Sequence, residues 1–151
     1  MTKRRWIRGA VWAAIAATTL FIWSRSLQPA AVSSQESAWV NELLTALFGA
    51  GYADSLMHEY IRHVAHFAEF AVLGVEWGVQ RRWIGARARW VALAAGPLTA
   101  ACDEILQLFS EGRAAQVSDF LLDCAGYACG FLFLWMTCQL VRRAKKKSNL
   151  D

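Results

Sequence analysis

Four long apolar runs, separated by charged stretches, dominate this sequence and limit what it can fold into. They cover residues 7–23, 57–80, 90–109 and 117–141. About 20 apolar residues are enough for a helix to cross a bilayer. With 56% hydrophobic and 19% charged residues in 151, the composition is typical of an integral membrane protein. The sequence therefore predicts one all-α domain, 1–151, that is a polytopic membrane protein with four transmembrane helices.

Basic residues flank the apolar runs in three clusters. The clusters are Lys3/Arg4/Arg5/Arg8, Arg81/Arg82/Arg87/Arg89 and Arg142/Arg143/Lys145/Lys146/Lys147. Lys and Arg are retained on the cytoplasmic side of a membrane, so four crossings predict both termini inside (N-in/C-in). We expect the bacterial cytoplasmic (inner) membrane and no nucleic-acid partner, because no cluster is interleaved with exposed aromatic residues. The segment SRSLQPAAV offers no A-x-A cleavage site, so run 7–23 is expected to be a helix rather than a signal peptide.

The segment 24–54 lies between the first two runs. Its Ser/Gln-rich part, 33–37, predicts a loop. Apolar residues then recur at helical spacing from Trp39 to Phe48 and stop at Gly49. At about ten residues this helix is too short to span a bilayer of ~30 Å. We expect a short amphipathic helix on the outer side, either a lid over the helices beneath it or ordinary packing.

Polar side chains interrupt the last three runs, which is costly in a bilayer unless they have partners or a task. They are Arg62, His63, His66, Glu69 and Glu76 in the second run, Asp103, Glu104 and Gln107 in the third, and Asp119 and Asp123 in the fourth; Arg113 lies in the loop between the last two. The predicted orientation brings all except Glu76 to the outer end of the helices, roughly 3–12 Å deep at ~1.5 Å per residue. Glu76 is expected to extend toward the inner interface. We expect one polar pocket that faces the outer side.

The residue types suggest phosphate chemistry. Two guanidinium groups, Arg62 and Arg113, suit the binding of a phosphate, with His63 and Gln107 as further substrate contacts. A buried His66 oriented by Glu69 could act as base, acid or nucleophile. The carboxylates Asp103, Glu104, Asp119 and Asp123 could complete the catalytic set or hold a divalent cation, whose identity the sequence leaves open.

Structural roles are the alternative for each residue. Arg62 could pair with Glu59 or Asp54 near the start of its own helix. His66 and Glu69, three residues apart, could only stabilise a helix, and Arg113 could only brace Asp119. The four cysteines resemble packing residues, although Cys102 and Cys124 could lie at a depth that allows a disulfide.

The order and spacing of these residues resemble the VanZ-like membrane protein family over roughly residues 20–135. The similar motifs are R-H-x-x-H-F-x-E-F at 62–70, D-E-x-x-Q-x-F at 103–109, G-R at 112–113 and D-x-x-x-D-x-x-G-x-x-x-G at 119–130. At His63 family members commonly have Lys. The resemblance implies a small four-helix membrane protein whose site is formed by His66, Glu69, Asp103, Glu104, Gln107, Arg113, Asp119 and Asp123. It also implies a link to reduced susceptibility to glycopeptide antibiotics such as teicoplanin, and membership among membrane enzymes that process or exchange lipid head groups.

The leading functional hypothesis is an enzyme acting at the outer leaflet on a lipid phosphoester, either a phospholipid or a polyprenyl-linked wall precursor. One alternative is a non-catalytic protein that binds the lipid or the antibiotic and masks wall precursors. Another is a proton-coupled carrier, for which Glu76 is the available inner polar group. The expected partner is a membrane lipid or lipid-linked substrate, and the oligomeric state is left open.

Overall fold

Five helices make up the chain in the computed structural model, which describes residues 3–48, 55–85 and 89–148. They are α1 (Lys3–Ser26), α2 (Ala30–Phe48), α3 (Ser55–Gln80), α4 (Arg89–Gln107) and α5 (Val117–Ser148). Within these ranges there is no β-strand, so the all-α prediction is confirmed. Three of the four predicted runs lie within one helix each; the run 90–109 extends two residues beyond α4, which continues through Pro97 and ends at Gln107.

Two of the described helices, Lys3–Ser26 and Val117–Arg143, are long and apolar enough to cross a membrane. Helices α3 and α4 carry the charged residues discussed above and are not among these two. The surface also has membrane character, because large apolar side chains are exposed on several helices. Trp90 is 73% exposed, Val117 76% and Phe109 78%. Soluble monomers rarely expose so much apolar surface. The number of spans and their orientation stay predictions.

Helix α2 is longer than the sequence predicts. It begins directly after Pro29, whose carbonyl accepts from the backbone N–H of Val32 (3.0 Å) and Ser33 (3.3 Å). The prediction of a loop at 33–37 is therefore wrong. Two of the three serines there are buried while Ser34 is exposed: Ser33, Ser37 and Asn41 follow one another at a spacing of four and form one buried stripe.

The opposite face of α2 exposes the large apolar residues Trp39 and Leu43 together with Gln35 and Glu42. The helix thus buries one polar stripe against the protein while Trp39 and Leu43 face away from it. This arrangement is the reverse of a helix on the surface of a soluble protein. The described part of α2 packs against α3.

Helices α3 and α5 form the most extensive contact in the molecule. Gly126 and Gly130 of α5 lie directly against the backbone of α3, where an added Cβ would collide with the carbonyl oxygens of Phe67 and Ala71. Small residues at this spacing let two helix backbones approach closely. A core of apolar side chains also joins α1, α3, α4 and α5: Ile15, Ile22, Phe70, Leu73, Trp77, Ala92, Ala100, Tyr127 and Phe131.

The connections 27–29 and 108–116 meet at one end of the bundle. The backbone N–H of Ala30 donates to the Glu111 carbonyl (3.0 Å), and the Ser110 hydroxyl donates to the Ser26 carbonyl (2.6 Å). Gly112 has a φ of 73°, a left-handed conformation that favours glycine. These bonds fix the end of α1, the start of α2 and the loop after α4 relative to one another.

Two further expectations have structural outcomes. The Thr18 hydroxyl of α1 donates to Oε1 of Glu76 (3.0 Å), so Glu76 packs against a neighbouring helix instead of extending to an interface. All four cysteines are free, and Cys102 and Cys124 form no disulfide.

Candidate functional site

Side chains from three helices converge at the end of the bundle where the two connections meet. Nδ1 of His66 on α3 lies 3.6 Å from Oδ1 of Asp123 on α5 and 3.9 Å from Oδ2 of Asp103 on α4. Both aspartates are completely buried. We refer to these three residues as the histidine–aspartate cluster. The tight packing of α3 on α5 brings His66 and Asp123 together.

Asp103 is held firmly by two neighbours. The Ser26 hydroxyl at the end of α1 donates to its Oδ1, and Nε2 of Gln107, one turn further along α4, donates to its Oδ2 at 2.9 Å. These donors stabilise a carboxylate that water cannot reach. Gln107, predicted to contact substrate, therefore positions Asp103.

Asp123 has a different environment. Both of its oxygens are buried without a hydrogen-bond partner, and so is Nδ1 of His66. A buried carboxylate without donors is unfavourable unless a positive charge or a proton compensates it. Ligand atoms of His66, Asp103 and Asp123 all lie within 4.8 Å of one another. One imidazole nitrogen and two carboxylate oxygens form a donor set that suits a divalent metal ion such as Zn²⁺ or Mn²⁺.

Asp119 lies one turn before Asp123 and forms its own ion pairs. Its Oδ2 lies 3.5 Å from Nη2 of Arg62, and its Oδ1 lies 3.3 Å from Nε2 of His63. Both partners come from the first half of α3. The alternative partners of Arg62, which are Asp54 and the side chain of Glu59, lie outside the described residues.

Glu104 is directed toward the loop before α5. Its Oε2 accepts from the backbone N–H of Gln116 (2.6 Å), while its Oε1 is buried without a partner. Of the four predicted cation ligands, the structure brings Asp103 and Asp123 together with His66. Glu104 and Asp119 bind other partners. Glu104 thus ties the loop to α4 at the edge of the cluster.

A cleft opens beside the cluster between α1, α2 and α3. Its lining includes three guanidinium groups, one imidazole and two carboxylates: Arg25, Arg62, Arg113, His66, Glu36 and Glu69. We call it the arginine cleft. His66 belongs to both the cleft and the cluster, so a molecule held in the cleft can contact the imidazole.

Arg113 differs from the other two arginines of the cleft, because among the described residues it has no ion pair, whereas Arg25 and Arg62 each have one. Its Nε is buried without a hydrogen bond, and the described contacts include no ion pair with Asp119, so the proposed brace is not observed. Burial lowers the pKa of the Arg113 guanidinium, and the nearby positive charge of Arg62 lowers this pKa further. A guanidinium in this environment gains from an anionic ligand.

Glu69 lines the cleft but is not the partner of His66. Among the described side chains, the imidazole has its close contacts with Asp103 and Asp123, and none is found with Glu69. The prediction that Glu69 orients His66 therefore lacks a direct contact. The carboxylates close to Nδ1 of His66 come from other helices.

The sequence analysis missed several residues of this site. Arg25 lines the cleft and pairs with Glu36 of α2 (Nη1 to Oε2, 2.5 Å), and Ser26 holds Asp103. The available signal was the polar pair at 25–26 directly after an apolar run. A second signal was the spacing of four between Ser33 and Ser37 in a segment interpreted as loop.

The fold and the site define a class: a small helical protein with membrane-helix character whose buried charges are gathered at one end of the bundle. Comparison with known families gives the particular assignment. The model of the VanZ/LLP1 family matches residues 11–140, and the chain therefore belongs to this family. No curated protein and no solved structure gives a significant match.

Proposed function

We propose that this chain crosses the bacterial cytoplasmic membrane four times, with both termini inside and the histidine–aspartate cluster near the outer face. The basic residues support this orientation. Arg81 and Arg82 follow the end of α3, while His66 lies in its first half; Arg142 and Arg143 lie late in α5, while Asp123 lies near its start. The cluster and the basic residues are thus at opposite ends, as the retention of Lys and Arg in the cytoplasm requires.

In this membrane the protein acts on the head group of a lipid phosphoester, either a phospholipid or a polyprenyl-linked wall precursor. The observation that carries this proposal is the position of His66, which lies beside two buried carboxylates and also lines a cleft with three guanidinium groups. The guanidinium groups suit a phosphodiester, and the imidazole lies where the reacting group would be bound.

The residues of the cleft and of the cluster have different roles in this proposal. Arg25, Arg62 and Arg113 bind phosphate oxygens in the cleft. The negative charges of Asp103 and Asp123 lie beside Nδ1 of the imidazole, which leaves Nε2 for proton transfer or attack. A divalent cation bound by His66, Asp103 and Asp123 would instead supply Lewis-acid stabilisation of phosphate charge. Asp119 keeps Arg62 in place.

Turnover by the purified protein tests this proposal. The protein is reconstituted in vesicles containing head-group-labelled phospholipids or a polyprenyl diphosphate precursor, with Mg²⁺, Mn²⁺ or Zn²⁺ added in turn. We expect head-group release or exchange that His66→Ala abolishes. Thr137→Ala is a matched control, since Thr137 is exposed and donates only to the Phe133 carbonyl of its own helix. Absence of turnover with every lipid and cation would contradict catalysis.

Stoichiometric binding is the second candidate, and the cleft itself favours it. Three guanidinium groups can hold a phosphate without any contribution from the imidazole. In this case the variant His66→Gln still lowers the antibiotic susceptibility of the cells that express it, whereas the double variant Arg62→Gln/Arg113→Gln does not. Family membership suggests the readout: expression in a susceptible Gram-positive host should reduce susceptibility to teicoplanin. A catalytic protein loses this effect with His66→Gln, while a binding protein keeps it.

A further inference from the structure

A second polar cavity lies between α3 and α5 at the end away from the histidine–aspartate cluster. From Asp123 to Cys138, which lines this cavity, the distance along α5 is about 22 Å at ~1.5 Å per residue. The polar and aromatic part of its lining consists of Arg81, Arg82, Arg142, Phe131, Trp135, Cys138 and Gln139. We call it the basic pocket. No role in the proposed function depends on it.

The positive charge in the basic pocket is not neutralised by the described residues. Its lining contains three guanidinium groups and no carboxylate. None of the ion pairs found in the described ranges includes Arg81, Arg82 or Arg142. Three like charges around one cavity repel one another, and an anion bound among them relieves this repulsion.

The present partners of these arginines are weak acceptors. The guanidinium carbon of Arg81 lies 5.5 Å from the centre of the Phe131 ring, and Nη2 of Arg82 donates to the sulfur of Cys138. A ring face and a thiol sulfur accept far less strongly than a phosphate oxygen. Most of the N–H donors of both side chains therefore stay available.

We propose that the basic pocket binds the phosphodiester head group of an anionic membrane lipid. Arginine side chains bind phosphate with two parallel hydrogen bonds. Trp135, which is 45% exposed, lies beside the three charges and suits contact with the first methylenes of a lipid. Inorganic phosphate is also an anion but would leave this aromatic side chain without a partner. The general retention of Arg in the cytoplasm explains the charges but not a cavity lined by an aromatic side chain.

The proposal is tested with the full chain in phosphatidylcholine nanodiscs with and without phosphatidylglycerol, counting bound lipid by native mass spectrometry. We expect the wild type to hold phosphatidylglycerol at least about tenfold more tightly than phosphatidylcholine, and the triple variant R81Q/R82Q/R142Q to lose this preference. The matched control is R4Q/R5Q/R8Q, which removes the same charge from exposed positions on α1 outside the pocket. The control should keep the preference.

A single substitution tests the proposal independently, in case the triple variant misfolds. Gln139→Glu leaves every arginine in place and introduces a carboxylate into the lining. It should compete with the lipid phosphate and reduce phosphatidylglycerol binding by about tenfold. Unchanged binding by Gln139→Glu would overturn the proposal. Equal loss in R4Q/R5Q/R8Q would also overturn it, because the effect would then come from charge in general.

Inorganic phosphate distinguishes the two sources of the anion. Phosphate added to the wild type in phosphatidylcholine nanodiscs should bind at least about tenfold more weakly than phosphatidylglycerol. Phosphate binding as tight as lipid binding would refute the assignment to a lipid head group. A wild type that does not discriminate between the two lipids would refute the site itself.

Discussion

The contact between α5 and α3 makes a quantitative prediction for Gly130→Ala. A Cβ at Gly130 would collide with the carbonyl oxygen of Ala71 and lie 2.7 Å from its carbonyl carbon and 3.0 Å from its Cα. All three atoms are backbone, so no side-chain rotation can relieve the collision. Gly74 reinforces the contact from α3, since a Cβ there would meet the carbonyl of Tyr127. The helices must separate to accept the methyl group.

The destabilisation caused by Gly130→Ala is the difference between two opposing free-energy contributions. Overpacking of a rigid contact costs roughly 1–3 kcal/mol, and a clash with backbone lies at the upper end. Alanine recovers up to about 1 kcal/mol because its helix propensity exceeds that of glycine. The net loss in the free energy of unfolding is then about 2 kcal/mol. For a chain of this size, ~2–4 °C per kcal/mol gives a decrease in Tm of about 4–8 °C.

Thermal unfolding of the detergent-purified protein, followed by circular dichroism, measures this decrease. Gly9→Ala is the matched control, because Gly9 lies within α1 and no atom lies within 4 Å of its added Cβ. Its Tm should equal or exceed that of the wild type. A Tm for Gly130→Ala within about 1 °C of wild type would mean that the predicted cost is absent and that α3 and α5 do not approach this closely.

The same melting assay checks four further predictions. Gln80 is fully buried with both amide atoms unpartnered, so Gln80→Met should raise stability by about 1 kcal/mol, and a decrease would contradict its burial. Ser26→Ala should cost about 1–3 kcal/mol because it removes a donor to the buried Asp103; a neutral result would indicate that this hydrogen bond is not formed. Tyr127→Phe should cost about 1 kcal/mol, since the hydroxyl donates to a carbonyl of α4, and unchanged stability would argue against that bond. Zn²⁺ or Mn²⁺ should raise the Tm of the wild type but not of His66→Ala, with a stabilisation of about 2.7 kcal/mol at a hundredfold excess over Kd; an equal rise in both would place the ion elsewhere.

The helices were largely predictable because apolar periodicity and charge boundaries are local signals. Helix α3 begins at Ser55 and α5 at Val117, within two residues of the runs 57–80 and 117–141. The extent of α2 was not predictable by the same reasoning. A Ser- and Gln-rich segment is typical of a loop in water, and only neighbouring helices make a buried serine stripe favourable. That information lies in the tertiary structure.

The sequence predicted many of the polar residues that converge at this end of the bundle, but not Arg25 or Ser26, and it did not predict how the side chains pair. Sequence spacing offers Glu69 as the neighbour of His66, since three residues bring two side chains to one face of a helix. The actual neighbours, Asp103 and Asp123, depend on the rotation of α4 and α5 about their axes. Spacing within one helix contains no information about that rotation. The glycine contacts at 126 and 130 help to set it for α5.

The reversed polarity of α2 has a consequence for any molecule entering the arginine cleft. Ser33, Ser37 and Asn41 are buried, and Oδ1 of Asn41 has no hydrogen-bond partner among the described residues. Hydrocarbon beside these groups would offer them no hydrogen bond, whereas a lipid head group brings its own polar atoms. We therefore expect the polar stripe of α2 to favour entry of the charged part of a lipid over entry of its tail.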